Sequence, residues 1–88
     1  MAWTIEFLPE AARELKALGK AEAARIVRTL ETRIATLDDP RRLGGPLRGD
    51  HAGFWRWRIG DYRVIARMED ARITILVVRV AHRREAYR

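Results

Sequence analysis

The sequence predicts an α+β domain in which one sheet carries a helical hairpin packed on one of its faces. Three observations predict it. Apolar residues alternate with polar ones at a period of two in Trp3-Ile5-Phe7 and again from Trp55 to Met68. Between these stretches, two apolar stripes recur at helical spacing. A β-branched run, Arg72 to Val80, follows them. The order is strand, helix, helix and three strands, and at 88 residues the chain has room for one core and a single domain, 1–88.

The first strand ends at Leu8-Pro9, because Pro9 cannot donate to a ladder but suits the first turn of a helix. Ala11, Ala12, Leu15 and Leu18 then follow helical spacing, and Gly19 is placed to end the helix as a left-handed cap. A second helix, from about Lys20 to Leu37, carries the stripe Ala23, Ile26, Val27, Leu30, Ile34 and Leu37. Charges on both helices read as a solvated face.

Asp38-Asp39-Pro40 breaks the second helix, and the Gly-rich segment Arg41 to Gly53 reads as a loop that Leu43 and Leu47 anchor to the core. Two strands then flank Gly60-Asp61, a two-residue turn of the Gly-X kind. This turn pairs Ile59 with Tyr62, Arg58 with Arg63, Trp57 with Val64 and Arg56 with Ile65. Trp55, Trp57, Tyr62 and Val64 point at the helices, and core packing accounts for the two tryptophans better than base stacking does. Arg56, Arg58, Arg63 and Arg67 fall on the opposite, open face. The run Arg72–Val80 reads as a strand buried on both faces and central in the sheet. The polar tail 81–88 is too short for a stable helix of its own.

Charge separates the two halves. Residues 1–40 hold six basic and seven acidic side chains, a net of −1, whereas residues 41–88 hold twelve arginines and five acids, a net of +7. Arginine presents a planar fork that matches phosphate oxygens and stacks on bases. A nucleic-acid partner fits this excess, and so does an acidic protein or a basic surface that serves solubility. With no cysteine and only His51 and His82, neither a disulfide framework nor a metal site is expected, and nothing calls for a cofactor. No signal-peptide pattern opens the chain, and the most apolar run, Ile73 to Val78, is far shorter than the roughly 20 residues of a membrane span. A cytoplasmic protein without membrane contact is the expectation.

FLPEAARELKAL (7–18), PLRGDHAGFWRWRIGDYRVIARM (46–68) and VVRVAHRREAYR (77–88) resemble, in order and spacing, the RelE branch of the RelE/ParE superfamily of type II toxin-antitoxin toxins. The resemblance implies a β-α-α-β-β-β fold with an antiparallel-rich sheet. It also implies an enzyme that enters the ribosomal A site and cuts mRNA without a metal, driving the 2′-hydroxyl onto the adjacent phosphate. A cognate acidic antitoxin, bound in a hetero-oligomeric complex, is implied as partner. Arg63 and Arg83 match the family's phosphate-clamping arginines, and Tyr87 matches the tail tyrosine that stacks on a base or serves as the acid. Many relatives have lysines, one of them proposed as the base, where this chain has Arg56 and Arg58. An arginine stays protonated, so these two hold phosphates rather than take a proton, and Arg48 and Arg67 join them as RNA-binding candidates. His82 is then the remaining proton acceptor. Two other outcomes stay open within the superfamily: a ParE-like toxin that inhibits DNA gyrase, and a degenerate toxin that only binds its antitoxin.

Overall fold

A computed structural model describes residues 2–49, 53–82 and 84. It consists of β1 (Thr4–Phe7), α1 (Pro9–Ala17), α2 (Lys20–Thr29), a π-helical turn (Leu30–Ile34), and a short 3₁₀ turn (Pro40–Arg42). The strands β2 (Gly45–Pro46), β3 (Phe54–Ile59), β4 (Tyr62–Glu69) and β5 (Thr74–His82) follow, with a second 3₁₀ turn (Asp70–Arg72) between the last two. The five strands form one sheet in the order β1-β5-β4-β3-β2, antiparallel except for the parallel pair β1/β5. The β-α-α-β-β-β order is thus extended by one residue pair, β2, on the outer edge of β3. No helix among the described residues is long and apolar enough to cross a membrane.

The core lies between the helices and one face of the sheet. Ala11, Ile26, Leu30 and Ile34 meet Trp57, Ile59, Val64, Ala66, Ile75, Val77 and Val80 there. The hairpin register is the predicted one, Ile59 with Tyr62 through Trp57 with Val64, and Gly60 alone takes a positive φ (60°) in the turn. β5 is interior, flanked by β1 and β4, but β4 is the middle strand of the five. The register between β4 and β5 shifts at Ile65/Ala66, so that Val78 is an extra residue in β5. Ile75 and Val77 on one side of the bulge, and Val80 and His82 on the other, therefore share the helix side of the sheet. That parity switch is why RITILVVRV reads as a continuous apolar run.

Three predicted details differ. Gly19 has a positive φ but an extended ψ (91°, 163°), so it starts α2 as its N-cap instead of closing α1 in the left-handed helical region. The second helix is not regular to Leu37: Ala35 donates to the Leu30 carbonyl at 2.8 Å, a five-residue step. Thr32 and Thr36 hydroxyls compete there for carbonyls four residues back, and the Ala35 carbonyl turns to accept Trp3 N–H at 2.7 Å. Leu43 is 44% exposed and stands outside the core cluster, whereas Leu47 is partly buried. The loop is held instead by the three indoles: Trp3 Nε1 donates to Asp38 O (3.1 Å), Trp57 Nε1 to Pro40 O (3.1 Å) and Trp55 Nε1 to Leu43 O (2.7 Å). Next to it, Gly44 (φ 78°) is packed so closely that a Cβ would stand 2.0 Å from the Arg56 carbonyl oxygen.

Candidate nucleic-acid interface

Alternation along β3 and β4 sorts their side chains cleanly. Trp57, Ile59, Val64 and Ala66 are buried against the helices, and Arg56, Arg58, Arg63 and Arg67 project from the other face, as predicted. Arg58 and Arg63 are direct cross-strand neighbours, the last such pair but one before the Gly60-Asp61 turn. Two guanidinium groups opposite one another repel, which costs stability unless an anion lies between or beside them. Arg63 is half-buried between Ile65 on its own strand and its β5 partner Ala81, both buried. Its Nε and Nη1 are shielded from solvent and have no hydrogen-bond partner among the described residues. Unmade donors of this kind cost about 1–3 kcal/mol each and call for a ligand or a strain-based reason.

The arginines of this half of the chain fall into two sets. At the end of the sheet away from the turn, Arg41 bridges Asp39 (3.1 Å) and Asp70 (2.6 Å), Arg67 meets Glu69 (3.1 Å), and Arg72 meets Glu69 and Glu6 (2.8 Å to Glu6). The carboxylates hold the Arg41 and Arg72 guanidiniums above their ordinary range, chiefly through the hydrogen bonds that Asp70 and Glu6 accept from them. Near the turn, no carboxylate among the described residues pairs with Arg58 or Arg63. Arg25 of α2 adds a further cation, its guanidinium 3.0–3.2 Å from where a Cβ on Gly60 would stand.

Arg56 joins the face, half-buried and lying over Gly45, its β2 partner. Arg67 is on the face but paired with Glu69. Arg48 is exposed in the connection between β2 and β3, at the far end of β3 from Arg58, roughly 13 Å away along a strand. His82 is not with the arginines. It pairs with Tyr62 on the helix side, its ring edge-on to the tyrosine at 5.8 Å. Its Nδ1 accepts the Arg84 amide at 3.3 Å, and a neutral imidazole that accepts at Nδ1 carries its proton at Nε2. Arg83 and Tyr87, like His51, lie outside the described residues. No cluster of three or more His, Cys, Asp or Glu side chains among the described residues is placed to hold a metal ion.

One polar group on the other side of β5 was read from the sequence as part of a solvated face and is not. Glu14 of α1 receives Val80 N–H at 2.8 Å and Arg79 Nε at 2.9 Å. Its signal was present in the sequence: Ala11, Glu14, Leu15 and Leu18 share one helical stripe, so an acid sits inside an apolar pattern.

Comparison with known proteins agrees with this fold. The family described as ParE toxin of type II toxin-antitoxin system, parDE, matches residues 5–87. Toxin RelG of Mycobacterium tuberculosis is 36% identical over 89 residues, covering 100% of this chain and 99% of RelG. Toxin RelE of the same organism is 37% identical over 78 residues, covering 89% of this chain and 78% of RelE. Among solved structures, a chain of the M. tuberculosis toxin-antitoxin complex RelBE2 superposes with a TM-score of 0.84 at 32% identity, covering 93% of this chain and 92% of that one. With the family matched across nearly its whole length, the chain belongs to the ParE-toxin family, within the RelE/ParE superfamily of type II toxin-antitoxin toxins.

Proposed function

We propose that this toxin is a ribosome-dependent mRNA endonuclease that works in the cytoplasm, without metal or cofactor, and is restrained by a cognate acidic antitoxin in a hetero-oligomeric complex. The observation that supports it best is the cross-strand pair Arg58 and Arg63, unneutralised among the described residues, with two shielded Arg63 donors left unmade. A phosphate oxygen set against the Arg58–Arg63 pair would relieve the repulsion, and it would satisfy the two donors once the Arg63 guanidinium has turned out of its cover.

In-line attack by a 2′-hydroxyl requires that the phosphorane charge be held and that protons move at both oxygens. Arg63, with Arg58 and Arg56 beside it, holds the phosphate. A fixed guanidinium does this without exchanging a proton. From the family resemblance, Arg83 supplies a second clamp, and Tyr87 stacks on a base or protonates the leaving 5′-oxygen. His82 serves as proton acceptor only from a conformer in which the strand end has turned its ring from the helix side to the arginine face and Nδ1 has released the Arg84 amide. Arg67, tied to Glu69, and Arg48, distant along β3, are left to longer-range attraction of RNA.

The test is the purified full chain on translating ribosomes. Cuts inside codons at the A site, leaving a 2′,3′-cyclic phosphate and a 5′-hydroxyl, are expected, and intact mRNA in the presence of folded toxin would overturn the reading. A second reading, a ParE-like toxin that stalls DNA gyrase, draws on the family's ParE description and on the absence of a proton acceptor from the described arginine face. DNA breaks with an SOS response, and no cut mRNA, would favour it.

A further inference from the structure

We infer that Glu14 is a positioning residue: its carboxylate clamps the C-terminal end of β5, and so aims the strand end from which His82 and the tail depart. The inference deepens the proposed nuclease reading and rests on it for its catalytic consequence. β1 pairs with β5 only as far as Phe7 with Val77, and Leu8 N–H closes that ladder on the Val77 carbonyl at 2.9 Å. Past this point the chain turns into α1, so among the described residues the outer edge of β5 from Val78 to His82 has no strand beside it. An unpaired edge that also contains a bulge is free to twist.

Glu14 occupies that position. One carboxylate oxygen takes Val80 N–H, the ladder donor that β1 no longer reaches, and the other takes Arg79 Nε. Both bonds come from adjacent residues just beyond the bulge residue Val78, so together they fix the direction as well as the place of the strand. The carboxylate is about three-quarters shielded, with 26% side-chain exposure, which strengthens charge-assisted bonds relative to a surface pair. Arg79 is thereby drawn to the strand edge and away from the phosphate-holding arginines. On the other edge of β5 the same segment is set by β4, through Arg63 with Ala81 and Tyr62 with His82. The clamp and the phosphate-holding strand thus share the last residues of β5, two positions from His82.

The experiment compares Glu14→Ala, Glu14→Gln and Arg79→Ala in the full chain, each read in three ways. Amide exchange at Val80 reports the clamp, the His82 ring and Arg84 amide resonances report the strand end, and single-turnover mRNA cleavage at saturating ribosomes reports the consequence. Glu14→Ala is expected to lose Val80 protection, shift the His82 and Arg84 signals, and slow cleavage by about 10-fold to 100-fold, as sub-ångström to ångström misplacement does. The ribosome concentration for half-saturation should stay near that of the wild type. Glu14→Gln keeps an oxygen for Val80 N–H and should restore all three readouts most of the way, and Arg79→Ala should leave Val80 protected. Unchanged Val80 exchange in Glu14→Ala, or an exposed Val80 with His82, Arg84 and cleavage all as in the wild type, overturns the inference. If the wild type cuts no RNA, the nuclease reading fails, and the exchange and resonance readouts still decide whether Glu14 aims the strand end.

Discussion

The two ends of the arginine-bearing sheet are chemically alike and electrostatically opposite. At the end away from the hairpin turn, Arg41, Arg67 and Arg72 are each met by Asp39, Asp70, Glu69 or Glu6. Near the turn, Arg58 and Arg63 face each other across the strands with no ion pair to a carboxylate of the described residues, and Arg63 keeps two shielded donors unmade. An arginine that closes a local ion pair stabilises the fold slightly, since exposed pairs contribute about 0–1 kcal/mol. One held beside another arginine raises the energy of the free protein and lowers it again when an anion arrives. The difference teaches that the number of arginines does not locate the site. The proposed phosphate site lies where no described carboxylate pairs with them.

The largest effect expected from breaking this contrast is at Arg63. Arg63→Ala removes a cation held at the developing phosphorane charge, and a loss of about 10²–10³ in single-turnover cleavage is the usual scale for one such donor. Because the substitution also deletes unsatisfied donors, its thermal midpoint should equal or exceed that of the wild type. Full toxicity in both Arg63→Ala and Arg83→Ala would sink the assignment of the clamp. Next in size is His82→Gln, for which a general base predicts about a 100-fold fall in rate. An unchanged rate would leave His82 as an anchor of the turn to Arg84 and Tyr62.

Much of this was legible in the sequence because it is set by local rules. The Gly60-Asp61 turn fixes a two-residue register, and that register alone puts Arg58 opposite Arg63 and sorts tryptophans from arginines. What was not legible depends on contacts between residues far apart in the chain. The Val78 bulge switches the parity of β5 and carries His82 to the helix side, where a strict alternation from Arg72 gives no hint of it. The pairs Arg72–Glu6 and Arg79–Glu14 join residues more than 60 positions apart, so no spacing rule exposes them. Trp55, Trp57 and Trp3 were read as apolar packing, and it is their indole N–H groups, aimed at three carbonyls of the 38–43 segment, that hold the loop where Leu43 was expected to.

The neutralised end supplies the smaller effects that sharpen the contrast. Arg67→Ala should change cleavage by no more than about threefold and stability by less than about 1 kcal/mol, since Arg67 is exposed and already satisfied by Glu69. A loss as large as that of Arg63→Ala would mean that Glu69 yields Arg67 to RNA, and the division into two ends would fail. Acid provides the finer probe. The Arg41 backbone N–H and guanidinium hold the Asp39 carboxyl below its usual range. A carboxyl depressed on folding stabilises the native state above its unfolded pKa, about 3.9, and that contribution disappears as pH falls through the lower folded value. The thermal midpoints of the wild type and Asp39→Asn should therefore differ by a constant amount from pH 7 to about pH 5 and converge below about pH 4.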